Sequence, residues 1–216
     1  MDKVVVIVGA GQAGGQAAAS LRAEGFAGRI VLVGAEPTLP YQRPPLSKGF
    51  LAGALSLDRL LLKPPAFYAQ GGIEARLGVD VVAIDSAARP LRLSDGGNLA
   101  YHQLLLATGG RPRLLTCAGA ELPQVHYLRT IADVDALRPH FQPGTRLTVI
   151  GAGYIGLEVA AVAVQHGLAV TVLEAAPTVL GRVACAEVAG FFKGVHEQAG
   201  VVIHCGTQVN RILARY

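Results

Sequence analysis

The chain is 216 residues long, 51% hydrophobic and only 16% charged, with 27 glycines. That composition excludes intrinsic disorder and suits a packed protein with buried strands. Its formal charge of +4 is spread along the chain, with no basic block and no interleaving of basic and aromatic residues, and this points away from nucleic acid. The longest apolar runs are too short to cross a membrane, and the N-terminal one leads straight into glycines, so neither a membrane span nor export is expected. Cys117, Cys185 and Cys205 show no CxxC and no zinc spacing, which predicts a reducing, cytoplasmic setting.

Residues 4–8 are β-branched and read as a strand; Gly9, Gly11 and Gly14 follow in a G-x-G-x-x-G arrangement. A small-residue helix is predicted over 13–23 and a second strand over 29–33. In this pattern the first glycine permits the sharp turn and the second lets a pyrophosphate approach the backbone. The third lets helix and strand pack closely. The acid expected after the second strand arrives late, at Glu36, beyond Gly34 and Ala35. It reads equally well as a ribose ligand and as a solvated loop charge. Residues 38–49 (TLPYQRPPLSKG) are stiffened by three prolines and predict an extended loop that enters a short helix after Pro44 and Pro45. Arg43 and Lys48 stand on this frame; taken alone, they are two ordinary exposed cations.

A short helix is predicted over 60–70, entered at Pro64 and Pro65, then a strand over 75–83 and a hairpin at 91–96. An apolar strand over 101–107 stops in Thr108, Gly109 and Gly110, which suits backbone contact with a ligand at the strand's carboxyl end. Residues 111–124, with Pro112 and Pro123, read as a crossing between domains, and a helix is predicted over 127–137 with Thr130 as N-cap ahead of Asp133.

A second fingerprint follows. Residues 147–150 form a short apolar strand, Gly151, Gly153 and Gly156 repeat G-x-G-x-x-G, and a helix over 154–166 offers its N-terminal N–H groups to phosphate. A strand over 169–173 ends at Glu174, where a carboxylate accepts from a ribose 2′-OH and repels a 2′-phosphate. A helix over 187–199, a strand over 201–204 and the start of a further strand from 206 complete the chain. The fold class is therefore α/β with two Rossmann-like units, and two such units imply two dinucleotides, of which one is often a flavin. The expected division is a first binding domain over 1–112, a linker and helix over 113–144, and a second binding domain over 145–216.

Taken in order, the first glycine motif, PYQRPPLSKGFL, ATGGRPR, HYLRT, VIGAGYIGLEVA and VTVLEAAP resemble the FAD-dependent NAD(P)H:ferredoxin reductase family. This is the putidaredoxin-reductase and rubredoxin-reductase type, whose fold is like that of the pyridine nucleotide-disulfide oxidoreductases. The resemblance implies FAD in the first domain and NAD(H) in the second. On matching positions, Gly9, Gly11, Ala13 and Gly14 would hold the FAD pyrophosphate, with Glu36 and Arg43 on the same cofactor. Val81 would lie near the adenine, and Thr108, Gly109 and Arg129 elsewhere along FAD. Gly151, Gly153, Tyr154, Ile155, Gly156 and Glu174 would hold NAD(H). Lys48 would sit beside the flavin and Glu158 would face it, and these two are the implied catalytic residues.

The resemblance also implies a reaction: electrons pass from NADH through FAD to a ferredoxin, a putidaredoxin-like protein or a rubredoxin of an oxygenase system. Alternatives are a fragment that binds FAD or NAD without turnover, and a related NADH-dependent flavin oxidoreductase. Disulfide reductases of similar fold carry a cysteine pair where this chain has PPLSK, so thiol–disulfide chemistry is not expected. Two departures stand out. Ala35 occupies a position where the family commonly has an acid. Family members are also longer, which implies that the second domain is incomplete, apparently truncated before the returning FAD segment and the interface domain.

Overall fold

Val4–Val8 is a run of five β-branched residues, β1, and in the computed structural model it lies in the middle of a parallel sheet. The structure describes residues 3–85 and 90–214. These form two units, one of residues up to Arg43 together with Ser56–Arg111, the other of Pro44–Leu55 together with the chain from Pro112 onward.

In the first unit β1 pairs in parallel with β2 (Arg29–Gly34), and β2 pairs with β3 (Ile73–Leu77). Helix α1 (Gln12–Ala23) connects β1 to β2. Helices α2 (Leu57–Leu60) and α3 (Pro65–Gln70) precede β3, and α3 starts on Pro65 because proline presets φ and needs no N–H there. After β3 the chain forms an antiparallel sheet of β4 (Val81–Ile84), β5 (Pro90–Leu93) and β6 (Asn98–Ala100). It then returns to the other side of β1 as β7 (Gln103–Leu106).

The strands are apolar on both faces because both are covered. On one face Val5, Ile7, Ile30 and Leu32 pack with Ala18 of α1 and Tyr68 of α3. On the other, Val6, Val8, Val31 and Val33 pack with Leu91, Leu93 and Leu99 of the antiparallel sheet. Two predicted elements divide. The strand expected over 75–83 splits into β3 and β4 at Gly78, whose φ of +70° turns the chain out of the parallel sheet. The helix expected over 60–70 begins only at Pro65, because Leu61 forms a bridge to Tyr41 and the N–H of Leu62 donates to the carbonyl of Pro40.

The second unit opens with the Pro44–Leu55 segment, whose 3-10 turn at Pro44–Ser47 packs on α4 (Ile131–Leu137) and α5 (Tyr154–Gln165). Arg138 ties this segment down, donating to the Phe50 carbonyl at 2.7 Å while its guanidinium lies 4.8 Å from the Phe50 ring centroid. Helix α4 starts in a capping box in which the Thr130 hydroxyl and the Asp133 carboxylate each accept a backbone N–H of the other's end. The sheet is parallel, in the order β10 (Val202–His204), β9 (Ala169–Leu173), β8 (Arg146–Ile150), with α5 between β8 and β9 and α6 (Ala186–Gln198) between β9 and β10.

The further strand expected from 206 does not form among the described residues. Gly206 turns at φ +66° and donates to Ala176, Thr207 donates to Glu174, and beyond them a single bridge joins Arg211 to Ala118. No helix among the described residues is long and apolar enough to cross a membrane.

Candidate cofactor-binding sites

The two glycine turns leave their strands in the same manner. Gly9 has φ +114° and donates to the Val33 carbonyl at 2.8 Å; Gly151 has φ +104° and donates to the Leu173 carbonyl at 2.7 Å. A side chain at Gly14 would run into the Gly9 carbonyl, and one at Gly156 into the Gly151 carbonyl, so the third glycine of each motif is demanded by packing. Gly9 is crowded by the Ala107 carbonyl. Gly151 meets nothing comparable, since no described strand pairs with β8 on its outer side.

The middle glycines behave differently. At Gly11 and Gly153 an added Cβ would meet no protein atom within 4 Å. Their backbones, at φ −89° and −80°, are extended and open to any residue. Each is the N-cap of its helix, with no side chain capping it and no acid in the first turn. The N–H groups that a helix leaves orphaned at its start are therefore bare at α1 and α5, in contrast to the boxed start of α4. Ala13 is exposed at the first turn of α1, and Tyr154 and Ile155 at the first turn of α5.

Around the first turn, Thr108 and Gly109 follow β7, the strand beside β1, so they and the Gly9 turn lie at the carboxyl end of the same sheet. Gly34 lets the end of β2 approach Ala10, where any side chain would collide with the Ala10 methyl. Glu36 is not a solvated charge: Oε2 accepts from the Tyr41 hydroxyl at 2.5 Å and Oε1 from Arg43 at 2.6 Å. The Arg43 guanidinium also lies 5.1 Å from the Tyr41 ring centroid. Val81 opens β4, half-buried against the core cluster of Val6 and Val8.

Around the second turn, Ala152 is fully buried and held at both ends. Its N–H donates to Glu174 Oε2 at 2.6 Å, and its carbonyl accepts from Leu180 at 2.9 Å. The other Glu174 oxygen accepts from the Ala176 N–H at 2.8 Å. Leu180 is buried and sits at φ +53°, a conformation rare for a γ-branched side chain. Nothing in the sequence marks Ala152 or Leu180 for this work. Arg129 lies in the same unit just before the Thr130 N-cap, its N–H donating to Asp133 at 2.9 Å.

The Pro44–Ser47 turn brings Lys48 to Glu158 on α5, with Nζ 2.8 Å from Oε2. The Ser47 hydroxyl donates to the same oxygen at 2.5 Å, and Nζ also donates to the Pro44 carbonyl at 3.1 Å. The structure thus groups the sequence-predicted residues in two sets. Gly9, Gly11, Ala13, Gly14, Glu36, Arg43, Val81, Thr108 and Gly109 lie in the first unit. Lys48, Arg129, Gly151, Gly153, Tyr154, Ile155, Gly156, Glu158 and Glu174 lie in the second.

Two glycine turns of this form, each opening a helix after a parallel strand, define a nucleotide-binding α/β protein. The Pyridine nucleotide-disulphide oxidoreductase family matches residues 3–215, and the chain belongs to it. A ferredoxin–NAD(P)(+) reductase of Sphingomonas sp is 44% identical over 211 residues, covering 98% of this chain and 51% of the relative. Rhodocoxin reductase of Rhodococcus erythropolis is 45% identical over 210 residues, covering 97% of this chain and 49% of the relative. In the solved structure of a covalent putidaredoxin reductase–putidaredoxin complex, a chain 45% identical superposes with a TM-score of 0.92, over 96% of this chain and 50% of that one. The chain spans about half the length of the curated relatives it matches.

Proposed function

We propose that this chain belongs to a cytoplasmic flavoprotein reductase that passes electrons from NADH through FAD to an iron–sulfur ferredoxin, a putidaredoxin-like protein or a rubredoxin of an oxygenase system. The observation that carries the proposal is the emptiness at Gly11 and Gly153. Neither packing nor backbone conformation calls for glycine there, whereas a pyrophosphate lying against the backbone does. The uncapped starts of α1 and α5 add orphan N–H donors and a favourable dipole for that anion. The names of the relatives support the electron-transfer role, and the three free cysteines suit a reducing compartment.

In this reading Gly9, Gly11, Ala13 and Gly14 hold the FAD pyrophosphate. Glu36, kept in place by Tyr41 and Arg43, serves the adenosine ribose in place of the missing acid at Ala35. Val81 lies by the adenine, and Thr108, Gly109 and Arg129 line the rest of FAD. Gly151, Gly153, Tyr154, Ile155 and Gly156 receive NAD(H), with Glu174 on its ribose. Bound FAD supplies the conversion of two-electron NADH oxidation into single-electron steps. Lys48 would supply positive charge to the flavin, and Glu158 would orient its ammonium.

Anaerobic NADH added to the chain reconstituted with FAD tests this. The flavin's visible absorbance is expected to bleach, and faster with NADH than with NADPH. Flavin that stays bound but unbleached would replace the reductase by binding without turnover, and a chain that takes up no flavin would overturn both.

A further inference from the structure

Ser47 is buried, with 4% of its surface exposed. A buried hydroxyl without a partner is costly, so its presence calls for a specific acceptor. The Pro44 carbonyl, 3.5 Å away, is at the limit of hydrogen bonding. Glu158 Oε2, at 2.5 Å, is the real acceptor. An ionised carboxylate can only accept, so the Ser47 hydrogen points at Glu158 and the rotor is fixed.

That same oxygen pairs with Lys48 Nζ as an ion pair at 2.8 Å, and the Pro44 carbonyl accepts a Lys48 N–H at 3.1 Å. An ammonium has three N–H groups. One donates to the Pro44 carbonyl and the Glu158 carboxylate stands at ion-pair distance, with no other acceptor against the ammonium among the described residues, on a side chain 51% exposed. Glu158, 28% exposed, is the more enclosed partner and the part of the pair that a neighbour can fix. An exposed lysine with a flexible stem would otherwise sample many rotamers, and a pair of this exposure is weak without a fixed partner.

We infer that Ser47 is a positioning residue: its hydroxyl locks the Glu158 carboxylate, and the locked carboxylate together with the Pro44 carbonyl holds the Lys48 ammonium. The use of that ammonium rests on the flavin reading above; the lock itself does not. It explains why a buried position beside two prolines carries serine rather than alanine.

Labelling of Lys48 by a water-soluble amine-acylating reagent, read by peptide mass spectrometry on the flavin-free chain, tests the lock. Lys3, Lys63 and Lys193 are internal controls. Ser47→Ala is expected to raise Lys48 labelling by up to about tenfold, as suits loss of a hydrogen bond to a charged group. The controls should not change. Ser47→Cys, nearly isosteric but a weak donor, should fall between the two and covers the case in which the alanine variant does not fold. In a Glu158→Gln background, where the ion pair is already gone, Ser47→Ala should add nothing further. Unchanged Lys48 labelling in Ser47→Ala would overturn the inference, and so would an equal increase with and without Glu158. Because no flavin is present, the result stands apart from the bleaching experiment, and either reading can fail alone.

Discussion

At Glu174 both carboxylate oxygens are engaged by the backbone, accepting from Ala152 at 2.6 Å and from Ala176 at 2.8 Å. Each oxygen has a second lone pair, so the acid can hold the glycine turn and still accept from a ribose hydroxyl. Leu180 completes the brace from the other end of Ala152, in a backbone conformation that costs of order 1 kcal/mol for a non-glycine residue. The second turn is thus braced by protein groups on both sides of Ala152. Glu174→Gln keeps the size but sets an amide NH₂ against a backbone N–H, leaving a donor unpaired at a cost of about 1 kcal/mol or more. Urea unfolding without nucleotide should show a lower midpoint with an unchanged slope. A midpoint equal to the parent's would mean that the turn keeps its shape without the acid.

The elements best announced by sequence were those in which a single physical requirement ruled. An unbroken apolar run such as 4–8 needs both faces covered, and the spacing of Gly9, Gly11 and Gly14 needs a strand before it and a helix after it. Thr130 and Asp133 announced the start of α4 by their side-chain chemistry. What stayed hidden depended on tertiary partners. Gly78 divides a continuous β-rich run because β4 must leave the parallel sheet to pair with β5, and alternation alone cannot say which sheet a strand joins. The Lys48 and Glu158 side chains, far apart in sequence, were paired only through the family resemblance and not by any local pattern, and Ser47 gave no periodic signal.

The segment ahead of α4 also carries a pH response. Burial lowers the His126 pKa, His140 with its ring centroid 5.1 Å away lowers it further, and Asp133 opposes them. Burial lowers the pKa of His196 on α6 as well. A histidine depressed in the folded state binds fewer protons there than in the unfolded chain, so stability rises with pH. It is present in full above the ordinary value near 6.5 and declines as pH falls below it. Unfolding midpoints at about pH 7.5 and about pH 5.5 should differ in that direction, and by less in His126→Asn. No change in His126→Asn would remove this histidine from the response.

At the scale of the whole molecule, the chain repeats one device in its two units: a glycine demanded by packing, and beside it a glycine that packing does not demand. Substitution separates the two. Gly156→Ala drives a methyl into the Gly151 carbonyl and should destabilise the second unit by several kcal/mol, as overpacking does at its worst. Gly153→Ala meets open space at φ −80° and should leave stability within about 0.5 kcal/mol of the parent. The most direct test of the account is therefore anaerobic addition of NADH to Gly153→Ala carrying FAD. The account predicts a variant as stable as the parent and with as much flavin, whose visible absorbance does not bleach at NADH concentrations that bleach the parent. Bleaching equal to the parent's would contradict it.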